Sequence, residues 1–297
     1  MSAGRRQHVV PQMMIRRFTA DDGTLVELYK PTLTITSRRK YPRQILWIDN
    51  FYRDCLLDFD AEILQGVEQA FARYYPSIVG QSQPAQLSGE GGAALVDWIA
   101  AMLCRTRAIA FLSHRIAQQE GAFLGSLLPL MMNAIRSHWF SEFRDILTRS
   151  NFRWGMKVFP RECHVVLTDN PVCQTNGMRQ GGQLTIVPLS KQHVLIGGLQ
   201  EAVDEGRTWT IDQVNAFLAA WAEKSIFAPD RRDLEIVKSD LEGTGSIGSD
   251  EWCEAARKPF FGLPERIYSM QPPSGEALSE WWEQAKAAFG SPLPYDM

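Results

Sequence analysis

Apolar residues recur with helical spacing through the first half of the chain and gather into short continuous runs after it. Ile63, Val67, Ala70, Phe71 and Tyr74 lie on one stripe of a helix expected over 59–75, which Pro76 is expected to stop. Beyond the Gly-, Ser- and Pro-rich loop Gln81–Gly92, residues Leu95, Trp98, Ile99, Met102, Leu103, Ala110 and Phe111 mark a second, longer amphipathic helix. A further helical stretch over 126–149 is expected to bend near Pro129. The character then changes. VFPRECHVVLTDNP and QLTIVPLSKQHVLIGG are rich in Val, Ile and Leu and broken by Gly, Pro and Asn, with the turn cluster TNGMRQGG between them. They predict a small β-sheet over about 156–198. Thr210 followed by Gln213 makes a capping box for a helix that carries Val214, Phe217, Leu218 and Trp221. A last helix over 275–289 puts Leu278, Trp281, Trp282, Ala285 and Phe289 on its apolar side.

These elements predict an α+β fold that is predominantly α-helical, with one small β-sheet region (about 156–198) packed on a helical core. A single domain over 1–297 is expected. Within it, 1–58 reads as a basic N-terminal arm, 59–150 as a helical part, 151–235 as sheet plus helix, and 236–297 as a loop-rich tail with a terminal helix.

Composition narrows the class. With 297 residues, 45% of them hydrophobic, the chain can bury a sizeable core. A net charge of −3 argues against a bulk-charge, histone-like nucleic-acid binder. The average conceals an asymmetry: residues 1–53 hold ten basic side chains against four acidic ones, so everything after them carries an excess of nine negative charges. An anionic partner, nucleic acid among them, would meet the basic N-terminal third. Cys55, Cys104, Cys163, Cys173 and Cys253 are odd in number and widely spaced, which fits a reduced, cytoplasmic setting. No apolar stretch follows the N-terminal arginines as in a secretory signal. The longest apolar run, at 123–135, falls well short of the ~20 residues a bilayer requires, so no membrane partner is expected.

Three places carry candidate chemistry. In RRQHVVPQMMIRRF, residues 5–18, Pro11 suits the first turn of a helix and Val10 can staple against Met14. His8 then stands ahead of a helix N-terminus, where the dipole lowers an imidazole pKa and attracts anions. The same segment also reads as a docking arm, with Val9, Val10, Met13, Met14 and Phe18 burying one face. Arg105 falls in the row Trp98, Met102, Arg105, Ile109, Leu112, so a permanent charge lies along an apolar stripe and needs a partner such as Glu62 or Glu68. It reads equally as a structural ion pair or a substrate clamp. Asp169-Asn170-Pro171 follows HVVLT at a strand end, where a loop presents side chains from a rigid support; it is also ordinary turn chemistry. GTGSIG at 243–248 lacks the second strand of a dinucleotide fold and reads as a loop, and Ser190-Lys191 is too short a pattern to mark a nucleophile. No zinc quartet and no phosphate-binding Walker loop is present.

Taken in order, His8, Pro11, Gln12, Phe18, Tyr29-Lys30, Phe51-Tyr52 before Glu62 and Glu68, Arg105, Thr168-Asp169-Asn170-Pro171 and Pro188-Leu189-Ser190 resemble a bacterial family known as domain of unknown function 4238. The likeness spans roughly 6–230; Arg107 departs from the family's Arg-x-Pro pattern at that point. It brings no established activity, but it singles out His8, Gln12, Glu68, Arg105, Asp169 and Asn170 together. The His-x-x-Pro stretch is also similar to the His element of HNH-type nucleases, without their second and third elements. The expectation that follows is a hydrolase or phosphodiesterase-like enzyme acting on an anionic, nucleic-acid-like substrate. His8, Asp169 and Glu68 would be its catalytic groups, Gln12, Arg17, Arg105 and Asn170 would hold substrate, and a divalent metal is a candidate cofactor. The alternative is a non-enzymatic binding or regulatory protein in which the same polar cluster is a structural network.

Overall fold

The computed structural model describes residues 6–8, 10–49, 65–79, 89–104, 140–141, 143–178, 182–222 and 224–243. Ten strands occur among them, in two four-stranded antiparallel sheets and one two-stranded ribbon. This overturns the expectation of a predominantly helical chain with a single small sheet. The fold is α+β without helical dominance.

The ribbon pairs β1 (Arg6–His8) with β4 (Trp47–Asp49). Between them run the single-turn helix α1 (Gln12–Ile15), β2 (Val26–Tyr29) and β3 (Thr34–Ile35). The first four-stranded sheet has the order β3-β2-β10-β6, with β6 spanning Leu167–Thr168 and β10 spanning Ser225–Ala228. Its strands are only two to four residues long and come from distant parts of the chain. The second sheet has the order β5-β9-β8-β7, formed by Arg153–Val158, His193–Gly198, Gly182–Pro188 and Cys173–Met178. The expected sheet region was therefore right in place, but its Leu167–Thr168 segment belongs to the other sheet.

Two packed helices precede the second sheet in sequence, α2 (Gln65–Val79) and α3 (Glu90–Cys104). Phe71 of α2 stacks on Trp98 of α3, with ring centroids 4.2 Å apart and planes 14° from parallel. Pro76 does not stop α2, which runs on to Val79. A proline removes one backbone donor, but here the added turn buries Ile78 against the core, and burying such a side chain is worth about 1.5–3 kcal/mol. α4 (Gln200–Thr208) lies on β5 and β9. α5 (Ile211–Trp221) opens with the expected capping box: the Gln213 amide donates to Thr210 Oγ1 at 3.3 Å and the Thr210 amide donates to Gln213 Oε1 at 2.8 Å. α6 (Arg231–Gly243) covers β10 and β2. The expected bend near Pro129, the GTGSIG loop beyond Gly243 and the helix over 275–289 lie outside the described residues, while Gly243 itself ends α6. No helix among the described residues is long and apolar enough to cross a membrane.

Candidate functional site

Residues 169–172 carry the chain from β6 in the first sheet to β7 in the second, and all four are buried. A buried connection cannot leave its polar groups to water, so each needs a protein partner. Asp169, only 6% exposed, supplies several. Its Oδ2 accepts the amides of Lys224 at 2.8 Å and Ser225 at 3.2 Å, and its own amide donates to the Ser225 carbonyl at 3.1 Å. Thr168 Oγ1 donates to the Asn170 carbonyl at 2.6 Å, closing the turn from inside. Asn170 Nδ2 reaches the Trp221 carbonyl at 3.4 Å.

The segment these residues grip joins α5 to β10, and a lysine holds its other side. Lys30 follows β2 directly and is 8% exposed. Its ammonium donates to the carbonyls of Ala220 at 2.9 Å and Ala222 at 2.7 Å, at the C-terminus of α5. Helix C-termini expose unpaired carbonyls and the negative end of the dipole, so a buried cation finds both partners and favourable potential there. Leu33, with φ of 50°, adopts the left-handed conformation to close the turn Lys30–Thr32 that aims this side chain.

Cys173 begins β7 beside this cluster. Its thiol donates to the Asn170 carbonyl at 3.6 Å. Burial pushes the thiol well above its usual pKa, Lys30 acts to lower it and Asp169 to raise it, which favours the protonated thiol. Asn170 Oδ1 is buried and has no hydrogen-bond partner among the described residues.

The other sequence candidates lie on other elements. His8 ends β1 with its backbone opposite Trp47; its side chain is outside the described set. It is not the residue ahead of a helix with a useful dipole, because Pro11 precedes α1 and α1 has one turn. Val10 and Met14, expected to staple across Pro11, are both fully buried. Gln12 is the first residue of α1 and half-buried; Glu68 lies half-buried in the first turn of α2. Arg105 and Glu62 lie outside the described residues. Among the described residues no group of three or more His, Cys, Asp or Glu side chains is placed to hold a metal ion.

The matched family profile, a protein of unknown function called DUF4238, covers residues 6–232, from β1 into the first turn of α6. The chain belongs to this family. No curated protein and no solved structure matches it. Two of the short segments that carry the likeness to DUF4238, Tyr29-Lys30 and Thr168–Pro171, meet around the α5–β10 turn, which sequence spacing alone did not reveal.

A third segment, Pro188-Leu189-Ser190, organises a second polar locus. Arg17 is exposed and lies over the Tyr75 ring at 5.4 Å, and the Tyr75 hydroxyl donates to the Leu189 carbonyl. The Lys191 amide donates to the Arg17 carbonyl at 3.2 Å. Ser190 pairs not with Lys191 but with His193, Oγ to Nδ1 at 2.8 Å, while accepting the amides of Gln192 and His193 at 3.2 Å each. With both amides donating to the hydroxyl, its proton goes to Nδ1, which leaves the neutral imidazole hydrogen on Nε2. This is a local turn that fixes the β8–β9 connection.

Two outcomes follow for these loci. Asp169→Ala leaves two buried amides without an acceptor and is expected to lower unfolding free energy in urea by about 2–4 kcal/mol, with Asp169→Asn, which keeps an acceptor oxygen, costing less. At His193, burial depresses the pKa below 6.5. A depressed folded value means the stabilising contribution is present above 6.5 and is lost as pH falls through the lower folded value. Stability measured from about pH 7 down to about pH 5 should therefore decline, and His193→Gln should flatten that decline.

Proposed function

We propose that the protein binds an anionic, phosphate-bearing partner on the basic surface of its N-terminal third, and that Lys30, Asp169 and Asn170 are the frame beneath that surface. One contrast supports this reading. The buried Lys30 ammonium and Asp169 Oδ2 are spent on the main chain of 220–225, whereas Arg16, Arg17, Arg38 and Arg43 are exposed and make no ion pair among the described residues. Exposed, unneutralised guanidiniums suit phosphate recognition through bidentate hydrogen bonds. Retention on phosphocellulose tests the reading. Substituting Arg16→Ser, Arg38→Ser and Arg43→Ser together should lower the salt needed for elution, and an unchanged elution position overturns it.

The second reading is a phosphodiesterase-like hydrolase, favoured by the Oδ1 of Asn170 beside Asp169, an acceptor without a hydrogen-bond partner among the described residues. In it His8 is general base or metal ligand, Asp169 and Glu68 orient it or bind a divalent ion, Gln12, Arg17 and Arg105 hold phosphate, and Asn170 accepts a hydrogen bond from a substrate donor. It predicts that His8→Ala abolishes cleavage of a nucleic-acid substrate by the full chain while leaving the unfolding midpoint in place. Wild-type protein that cleaves no such substrate with magnesium or manganese supplied excludes it.

A further inference from the structure

We infer that the surface formed by Arg38-Arg39-Lys40-Tyr41-Pro42-Arg43 binds single-stranded nucleic acid, with the Tyr41 ring stacking on a base and Arg38 and Arg43 contacting the flanking phosphates. The inference rests on the anion-binding reading above and names its ligand class.

The segment is held rigidly at its base. Lys40 and Leu25 exchange backbone hydrogen bonds at 2.8 and 2.9 Å, and the Thr36 amide donates to the Glu27 carbonyl at 2.8 Å, so residues 36–40 run along the outer edge of β2. The turn Pro42–Gln44 is closed by reciprocal bonds, Gln44 amide to Tyr41 carbonyl and Tyr41 amide to Gln44 Oε1, both at 2.8 Å. α1 packs against this turn.

The side chains divide into held and open. Lys40 is engaged by Glu27, which also accepts the Ser225 hydroxyl at 2.9 Å. Arg39 donates to Thr24 Oγ1 at 3.1 Å and to the Pro229 carbonyl at 3.3 Å. Arg38 and Arg43 project without such partners among the described residues. Tyr41 is 50% exposed, and with Tyr29 at 39% it makes up the exposed aromatic rings of the described residues. Both lie on β2 or the segment beside it.

Charge alone would serve to keep a sheet edge from pairing with another chain. An exposed ring between arginines adds nothing to that purpose, but it provides a stacking platform on a rigid support. In a duplex the base faces are already stacked, so an exposed ring on a basic surface selects a strand whose bases are free.

Fluorescence anisotropy with the full chain tests the inference, using labelled oligothymidylate, labelled oligouridylate, a labelled duplex, and inorganic polyphosphate as competitor. Either single strand should bind more tightly than the duplex. Tyr41→Ala should weaken single-strand binding roughly five- to a hundredfold while Tyr41→Phe retains it, and Arg38→Ala or Arg43→Ala should each reduce the salt slope by about one. Single-strand binding that Tyr41→Ala leaves unchanged overturns the stacking inference. If polyphosphate still binds in that case, the anion-binding reading stands alone; if no polyanion binds wild-type protein, both fail.

Discussion

The turn from α5 into β10 is gripped between a buried ammonium and a buried carboxylate, and the first sheet depends on that grip. β10 pairs with β2 on one side and β6 on the other, with Ser225 opposite Tyr29 and Ile226 opposite Thr168. Both neighbours run antiparallel to β10, so they end where it begins. The residues that follow them, Lys30 and Asp169, therefore arrive together at residues 220–225. Stripping water from each charge costs several kcal/mol, which only good local partners offset. The carbonyls ending α5 provide them for Lys30, and the amides opening β10 provide them for Asp169. A four-residue central strand with two-residue β6 beside it has few ladder bonds of its own, so these bonds at its end fix the register.

What the sequence made legible follows from where the forces act. The capping box at Thr210 and Gln213 and the Val-, Ile- and Leu-rich runs of β8 and β9 are local patterns, and they appear where expected. β2, β3 and β10 were not visible, because two to four residues are too few for alternation to register and their partners lie far along the chain. Pro76 shows the reverse case, a strong local stop signal overruled by the burial of Ile78. Asp169-Asn170 was readable as a strand end, but not as a buried crossing between two sheets. Lys30 was readable only as half of a Tyr-Lys pair. Its partners are main-chain carbonyls, which leave no trace in residue identity, so nothing in the sequence distinguishes this lysine from a solvated one.

The frame and the basic surface are physically continuous. Asp169 Oδ2 accepts the Ser225 amide, the Ser225 hydroxyl donates to Glu27, and Glu27 holds Lys40 at the centre of the basic segment. One acidic side chain thus ties the central strand to the outer edge of the sheet and removes one charge from the run of cations. Arg38 and Arg43 remain to face solvent on either side of Tyr41. A loop carrying this much like charge would spread through self-repulsion if it were free. Anchoring its middle by Glu27, with the backbone bonds to Leu25, keeps the arginines in fixed positions, so a polyanion meeting them spends less on ordering the protein. The interior polar groups and the exposed ones are in this sense one arrangement, in which buried pairing below determines how the charges above are presented.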